Sequence, residues 1–169
     1  MASSSSASPV VSDSDLRELI EALTRTLPPG EELLSAAMRI LAQHRAKYHW
    51  VGVYLLVGDV LRLGPYVGPH TEHERIPVGR GVCGSAVADD ENKVIADVRT
   101  LSNYLACNLE TRSEIVVLIR DPHSHAILGQ IDIDGTEVSG FGHDDERFLE
   151  SIAELLAPSA ALVRARIDP

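Results

Sequence analysis

The chain predicts an α+β layer fold, a central antiparallel sheet with the N- and C-terminal helices packed on one face. Two patterns carry this. Apolar residues recur at helical spacing at both ends of the chain, whereas the middle alternates with period two and is rich in β-branched and aromatic residues. A third observation sets the domain count: no linker interrupts residues 13–169, which therefore read as one domain behind a leader at 1–12.

Ser12, with Asp15 three residues on, is a variant of the capping box, and Leu16, Leu19, Ile20, Leu23 and Leu27 follow on one helical face. Pro28-Pro29-Gly30 ends that helix. A second begins near Glu31, with Leu34, Ala37, Met38 and Leu41 on its stripe. "YHWVGVYLLVGD" is a strand that turns at Gly58-Asp59 into "VLRLGPYV". "HERIP" is a short strand, "VCGSAVADD" a short helix and "KVIADV" another strand, after which comes a loop region. "SEIVVLIR" and "AILGQIDID" form a hairpin across "DPHSH". A last helix starts near Asp144, with acids at its N-terminus and Phe148, Leu149, Ile152, Leu155 and Leu156 facing inward.

Composition narrows the partners. A net charge of -10 repels nucleic acid and anionic lipid, and no basic stripe offsets it. No apolar run approaches the roughly 20 residues a membrane span needs. The opening "MASSSSASPVVS" lacks the basic start and apolar core of an export signal, so it is expected to be a disordered leader and the protein cytoplasmic. With two cysteines and no secretory cue, Cys83 and Cys107 are either redox or nucleophilic groups or two inert buried thiols.

Several spellings tempt and fail. Gly79-x-Gly81-x-x-Gly84 resembles a dinucleotide turn, but the strand before it is short, charged and closed by Pro77, where a buried parallel strand is required. These glycines better serve a tight turn that opens a helix with Cys83 in its first turn, where amides and the helix dipole favour a thiolate. "DIDGT", Asp132 to Thr136, matches a phosphatase nucleophile loop without the domain such chemistry needs, and its glycine is misplaced for a calcium loop. His70 with His73 and His123 with His125 lack a third ligand at metal-site spacing, so no metal is expected.

Seven aromatics serve the whole chain, and Tyr48, Trp50 and Tyr54 fall at period two on one strand, so a shared aromatic face is expected. Asp132 and Asp134 share a face opposite Ile131 and Ile133, and Glu114 opens the neighbouring strand. Carboxylates packed in a cup repel one another unless a cation compensates, and Arg112 is the one near basic candidate. The implied ligand carries a positive amine and an apolar portion against Trp50; ordinary core packing and solvated strand ends are the alternative.

"HWVGVYLL", "RIPVGRGVCGSAVA", "ACNLETRSEIVV" and "LGQIDIDG", in that order, resemble the free methionine-(R)-sulfoxide reductases, single-domain enzymes with the GAF fold, over roughly Tyr48 to Leu156. The resemblance implies a site for free methionine sulfoxide and no cofactor beyond an external dithiol such as thioredoxin. By its motifs Trp50 and Tyr54 form the aromatic pair, and Glu114, Asp132 and Asp134 bind the amine and polarise the sulfoxide. Cys83 and Cys107 are the helix and loop cysteines. There are departures: His73 stands where a third cysteine is common, Asn108 where an aspartate follows the loop cysteine, and Leu118 where a proline is common, while two extra residues lengthen the hairpin near His123.

The mechanism this implies has Cys107 attack the sulfoxide sulfur while Asp134 or Asp132 protonates the departing oxygen, after which Cys83 condenses with the resulting sulfenic acid. The cysteine roles could be reversed. Two other functions stay open: a GAF module that binds a small molecule without chemistry, and a redox sensor whose disulfide alters a partner. A homodimer through terminal helices is a further expectation.

Overall fold

Ser12 accepts a hydrogen bond from the Asp15 backbone N–H at 3.1 Å and so starts the first helix, in a computed structural model that describes residues 10–105 and 108–167. Residues 1–9 of the expected leader lie outside the described residues. Helices α1 (Asp13–Thr26) and α2 (Glu31–His44) precede strands β1 (Trp50–Val57), β2 (Val60–Val67) and β3 (Arg75–Pro77). Helix α3 (Gly81–Asp89), strand β4 (Lys93–Ile95), strands β5 (Ser113–Arg120) and β6 (Ile127–Gly135) and helix α4 (His143–Ile167) complete the order. Within the loop after β4, Val98–Thr100 form one 3-10 turn capped by Asp97, a local feature too short to leave a periodic signal.

The six strands lie in the order β3-β2-β1-β6-β5-β4, each neighbouring pair antiparallel. Leu16, Ile20, Leu34, Met38, Phe148 and Ile152 of the terminal helices pack on one face of the sheet, against Val51, Val53, Ile115, Val117, Ile131 and Ile133. The other face is also covered: Val82, Cys83 and Ala86 of α3 join Trp50, Tyr54, Val116 and Leu118 in a second cluster. Strands β5 and β6 are therefore buried on both faces; β5 runs nearly continuously apolar, whereas β6 alternates its isoleucines with Gln130, Asp132 and Asp134. Glu114, Asp132 and Asp134 occupy polar positions on that second face.

Tyr48 departs from the expectation. It lies before β1 begins at Trp50, so the period-two count does not reach back to it, and it packs in the first cluster with its ring 6.0 Å from that of Phe141. No described helix is long and apolar enough to cross a membrane.

Candidate active site

Positive φ values of 88° at Gly79 and 62° at Gly81 build the turn that ends β3 and opens α3. The glycine motif is thus a backbone device, and it delivers Cys83 to the first turn of a helix that has no side-chain cap. The thiol is buried, and its Sγ contacts Glu114 Oε1 at 3.8 Å.

Register brings the acids together. Glu114 on β5 pairs with Asp134 on β6, and Asp134 pairs in turn with Trp50 on β1, so the three stand abreast on one face. Two residues along β6, Asp132 sits between Val116 and Gly52. Period two keeps Asp132 and Asp134 on this face while Ile131 and Ile133 enter the opposite core. Glu114, Asp132 and Asp134 are only 4%, 0% and 1% exposed. Outside the cluster, both oxygens of Asp132 and Oδ2 of Asp134 lack a hydrogen-bond partner among the described residues, and Trp50 Nε1 lacks one as well.

Burial without counter-charge controls their protonation. Glu114 is pushed well above the usual carboxylate range by desolvation and then by repulsion from Asp132 and Asp134. Asp134 is likewise held high by burial and by the Asp132 charge, whereas Asp132 is raised by burial to about 6. Arg112, the nearby basic candidate, donates instead to the carbonyls of Leu109 and Thr111 at 2.9 Å each. Burial and mutual repulsion therefore favour protons on this cluster to higher pH than on ordinary carboxylates.

The aromatic wall is real but differently composed. Trp50 stacks on Tyr54 at 6.2 Å and, more closely, on Tyr66 at 5.2 Å with planes 20° apart. Sequence reasoning missed Tyr66, because β1 and β2 pair through an irregularity between Gly52 and Tyr54 that shifts the register. The available signal was Gly52, since a glycine within a strand marks the close approach of another group. Tyr54 donates its hydroxyl to the His73 carbonyl at 2.9 Å, so the segment at the common third-cysteine position is latched to the wall. Gln130, also missed, lies on the same face of β6, fully buried, with neither amide atom hydrogen-bonded.

Of the expected site residues, Cys83, Trp50, Tyr54, Glu114, Asp132 and Asp134 all lie on the second face, and Cys107 lies outside the described residues. Next to it in sequence, Asn108 Nδ2 is 3.1 Å from His49 Nε2, and the His49 backbone N–H donates to the Asp134 carbonyl at 2.9 Å. His49 therefore ties the latter part of this loop, at Asn108, to the end of the acid strand. Chemically, the face combines one thiol, three carboxyl groups and an aromatic surface, without a lysine or arginine paired to any of the three acids among the described residues.

Known proteins are similar to this chain in both sequence and fold. Residues 29–159 match the GAF domain family. The chain is 37% identical over 123 residues to the free methionine-R-sulfoxide reductase of Escherichia coli (strain K12), covering 73% of each. It superposes on a free methionine-R-sulfoxide reductase from Neisseria meningitidis, solved in complex with its substrate, with a TM-score of 0.84 and 29% identity over 96% of each chain. A type II enzyme of the same name from Thermoplasma acidophilum aligns with a TM-score of 0.71 and 36% identity, over 86% of this chain and 95% of that one. With the GAF domain matched over most of its length and reductases similar in both sequence and structure, the chain belongs to the GAF-domain family of free methionine-R-sulfoxide reductases.

Proposed function

We propose that this protein reduces free methionine-(R)-sulfoxide to methionine with cysteine thiols that an external dithiol such as thioredoxin restores. The observation that carries the reading is the buried triad of Glu114, Asp132 and Asp134, set between the Trp50 wall and Cys83 without a compensating basic residue among the described residues. Such a cup favours an ammonium group, which a free amino acid supplies and a residue within a peptide chain does not. Trp50 offers apolar area to the thioether end.

In the cycle, the Cys107 thiolate attacks the sulfoxide sulfur and takes the oxygen as a carboxylic acid delivers the proton, giving methionine and a Cys107 sulfenic acid. Asp134 suits the donor role, because burial and the Asp132 charge favour its protonated form. The Cys83 thiol then displaces water from the sulfenic acid to form a disulfide, and the external dithiol reduces it by exchange. A thiolate at Cys83 would stand against buried acids, which suits a second-acting thiol. One observation favours the reverse assignment: among the described residues it is Cys83 that touches the acid cluster, from the first turn of α3.

The test mixes fully reduced protein with one equivalent of free methionine-(R)-sulfoxide, with the (S) epimer in parallel. One methionine per chain and a mass loss of two hydrogens, for the (R) epimer alone, is the expected result. Binding without methionine release would make the domain a non-catalytic binding module, and a disulfide formed by peroxide but not by the sulfoxide would make it a redox sensor.

A further inference from the structure

The thiol of Cys83 and the carboxyls of Glu114 and Asp132 do more than line one face. One donor atom from each lies within 4.8 Å of the other two, and all three residues are buried. One of these approaches, Sγ to Oε1, is 3.8 Å. A tetrahedral zinc ion, with bonds of about 2.3 Å to sulfur and about 2.1 Å to oxygen, holds such donor pairs roughly 3.6 Å apart. Little movement separates the observed spacing from a ligand set. Asp132 provides a further sign, because it is fully buried and the polar side chains that approach its oxygens are Glu114 and Cys83 themselves, with no partner outside the cluster among the described residues. A buried carboxylate in that condition calls for a proton or a cation.

We propose that the reduced protein binds one thiophilic divalent cation, of the Zn²⁺ or Cd²⁺ class, through Cys83 Sγ, a Glu114 oxygen and an Asp132 oxygen. Binding is an acid-base exchange without redox: the Cys83 thiol and whichever carboxyls are protonated release their protons to solvent, and the metal takes the freed electron pairs. The sulfur ligand selects against Mg²⁺ and Ca²⁺, which prefer all-oxygen shells. Three protein donors leave a fourth position for an exchangeable group, the pattern of a reversible rather than a structural site. The cation caps the thiol, so an occupied protein cannot form a disulfide through Cys83. That consequence rests on the proposed cycle; the binding itself does not.

The experiment titrates Cd²⁺ into fully reduced full-length protein and follows the thiolate-to-metal charge-transfer absorption, in the unaltered chain and in Cys83→Ser, Cys107→Ser and Asp132→Asn. The expected result is a band that saturates at one equivalent, disappears in Cys83→Ser and persists in Cys107→Ser. Asp132→Asn should keep the band and weaken binding by at least about tenfold, since even indirect partners of metal ligands cost about 10–100-fold. A band that survives in Cys83→Ser, no band in the unaltered chain, or undiminished affinity in Asp132→Asn overturns the proposal. Should a variant not fold, X-ray absorption of the Cd²⁺ complex of the unaltered chain decides: a mixed sulfur and oxygen shell supports the site, and an all-sulfur or sulfur-free shell overturns it. Failed turnover with intact Cd²⁺ binding would count against the reductase reading alone.

Discussion

The indole of Trp50 lies over Gly52: a Cβ at position 52 would come within 2.5 Å of Trp50 Cη2 and 2.7 Å of Tyr66 Cβ. The missing side chain is what lets the ring stack between Tyr54 and Tyr66. Gly52→Ala should therefore displace Trp50. We expect a stability loss of about 1–3 kcal/mol from overpacking, a shifted tryptophan emission, and a rise in KM larger than any fall in kcat. Unchanged emission and KM would show that the ring does not meet the substrate.

The buried acids set the pH dependence of stability. Burial raises Asp132 to about 6, and Glu114 and Asp134 stand well above their ordinary values, near 4 in an unfolded chain. The native state thus holds protons that the unfolded chain releases, so this contribution is full below about pH 4 and is lost as pH rises through 6. Other ionic contacts aside, Asp132→Asn should flatten the decline between pH 4 and 7, by on the order of 3 kcal/mol for a shift of about two units. Chemical denaturation of both proteins across that range measures the difference, and parallel profiles would contradict it.

Single-turnover chemistry separates the thiols. Cys83→Ser should release one methionine and stop at a sulfenic acid, visible as one added oxygen, while steady-state turnover with thioredoxin collapses. Cys107→Ser should release none. The opposite pattern would make Cys83 the nucleophile, in keeping with its contact to Glu114.

Gln130 is fully buried with both amide atoms unpartnered among the described residues. An unsatisfied buried amide costs about 1–3 kcal/mol, so the near-isosteric Gln130→Met should stabilise the protein by a comparable amount, about 2–4 °C in Tm per kcal/mol. A lower Tm would indicate that the amide is engaged.

Much of the molecule was legible because its elements bury defined faces. The stripe Leu16–Ile20 and the alternation Ile131–Asp132–Ile133–Asp134 each leave a period that a linear reading detects. The same alternation, with Glu114 next door, exposed the acid cup. What stayed hidden depends on register and distance. The Tyr66 stack follows a strand irregularity near Gly52, Tyr48 falls just outside β1, and the Cys83–Glu114 contact joins α3 to β5 across a loop. Residue types alone did not reveal that all three acids would be held above the usual carboxylate range, because that shift arises from their burial and mutual placement.

The sheet places β1 beside β6, so Trp50 meets Asp134 only after the intervening 83 positions have been arranged. Closing so long a loop is entropically demanding and tends to come late in folding. During synthesis from the N-terminus, the aromatic wall and the helix cysteine emerge well before the strand that carries Asp132 and Asp134. A growing chain accordingly presents a thiol with no acid cup to govern it, and site assembly becomes a report that the centre of the sheet has closed.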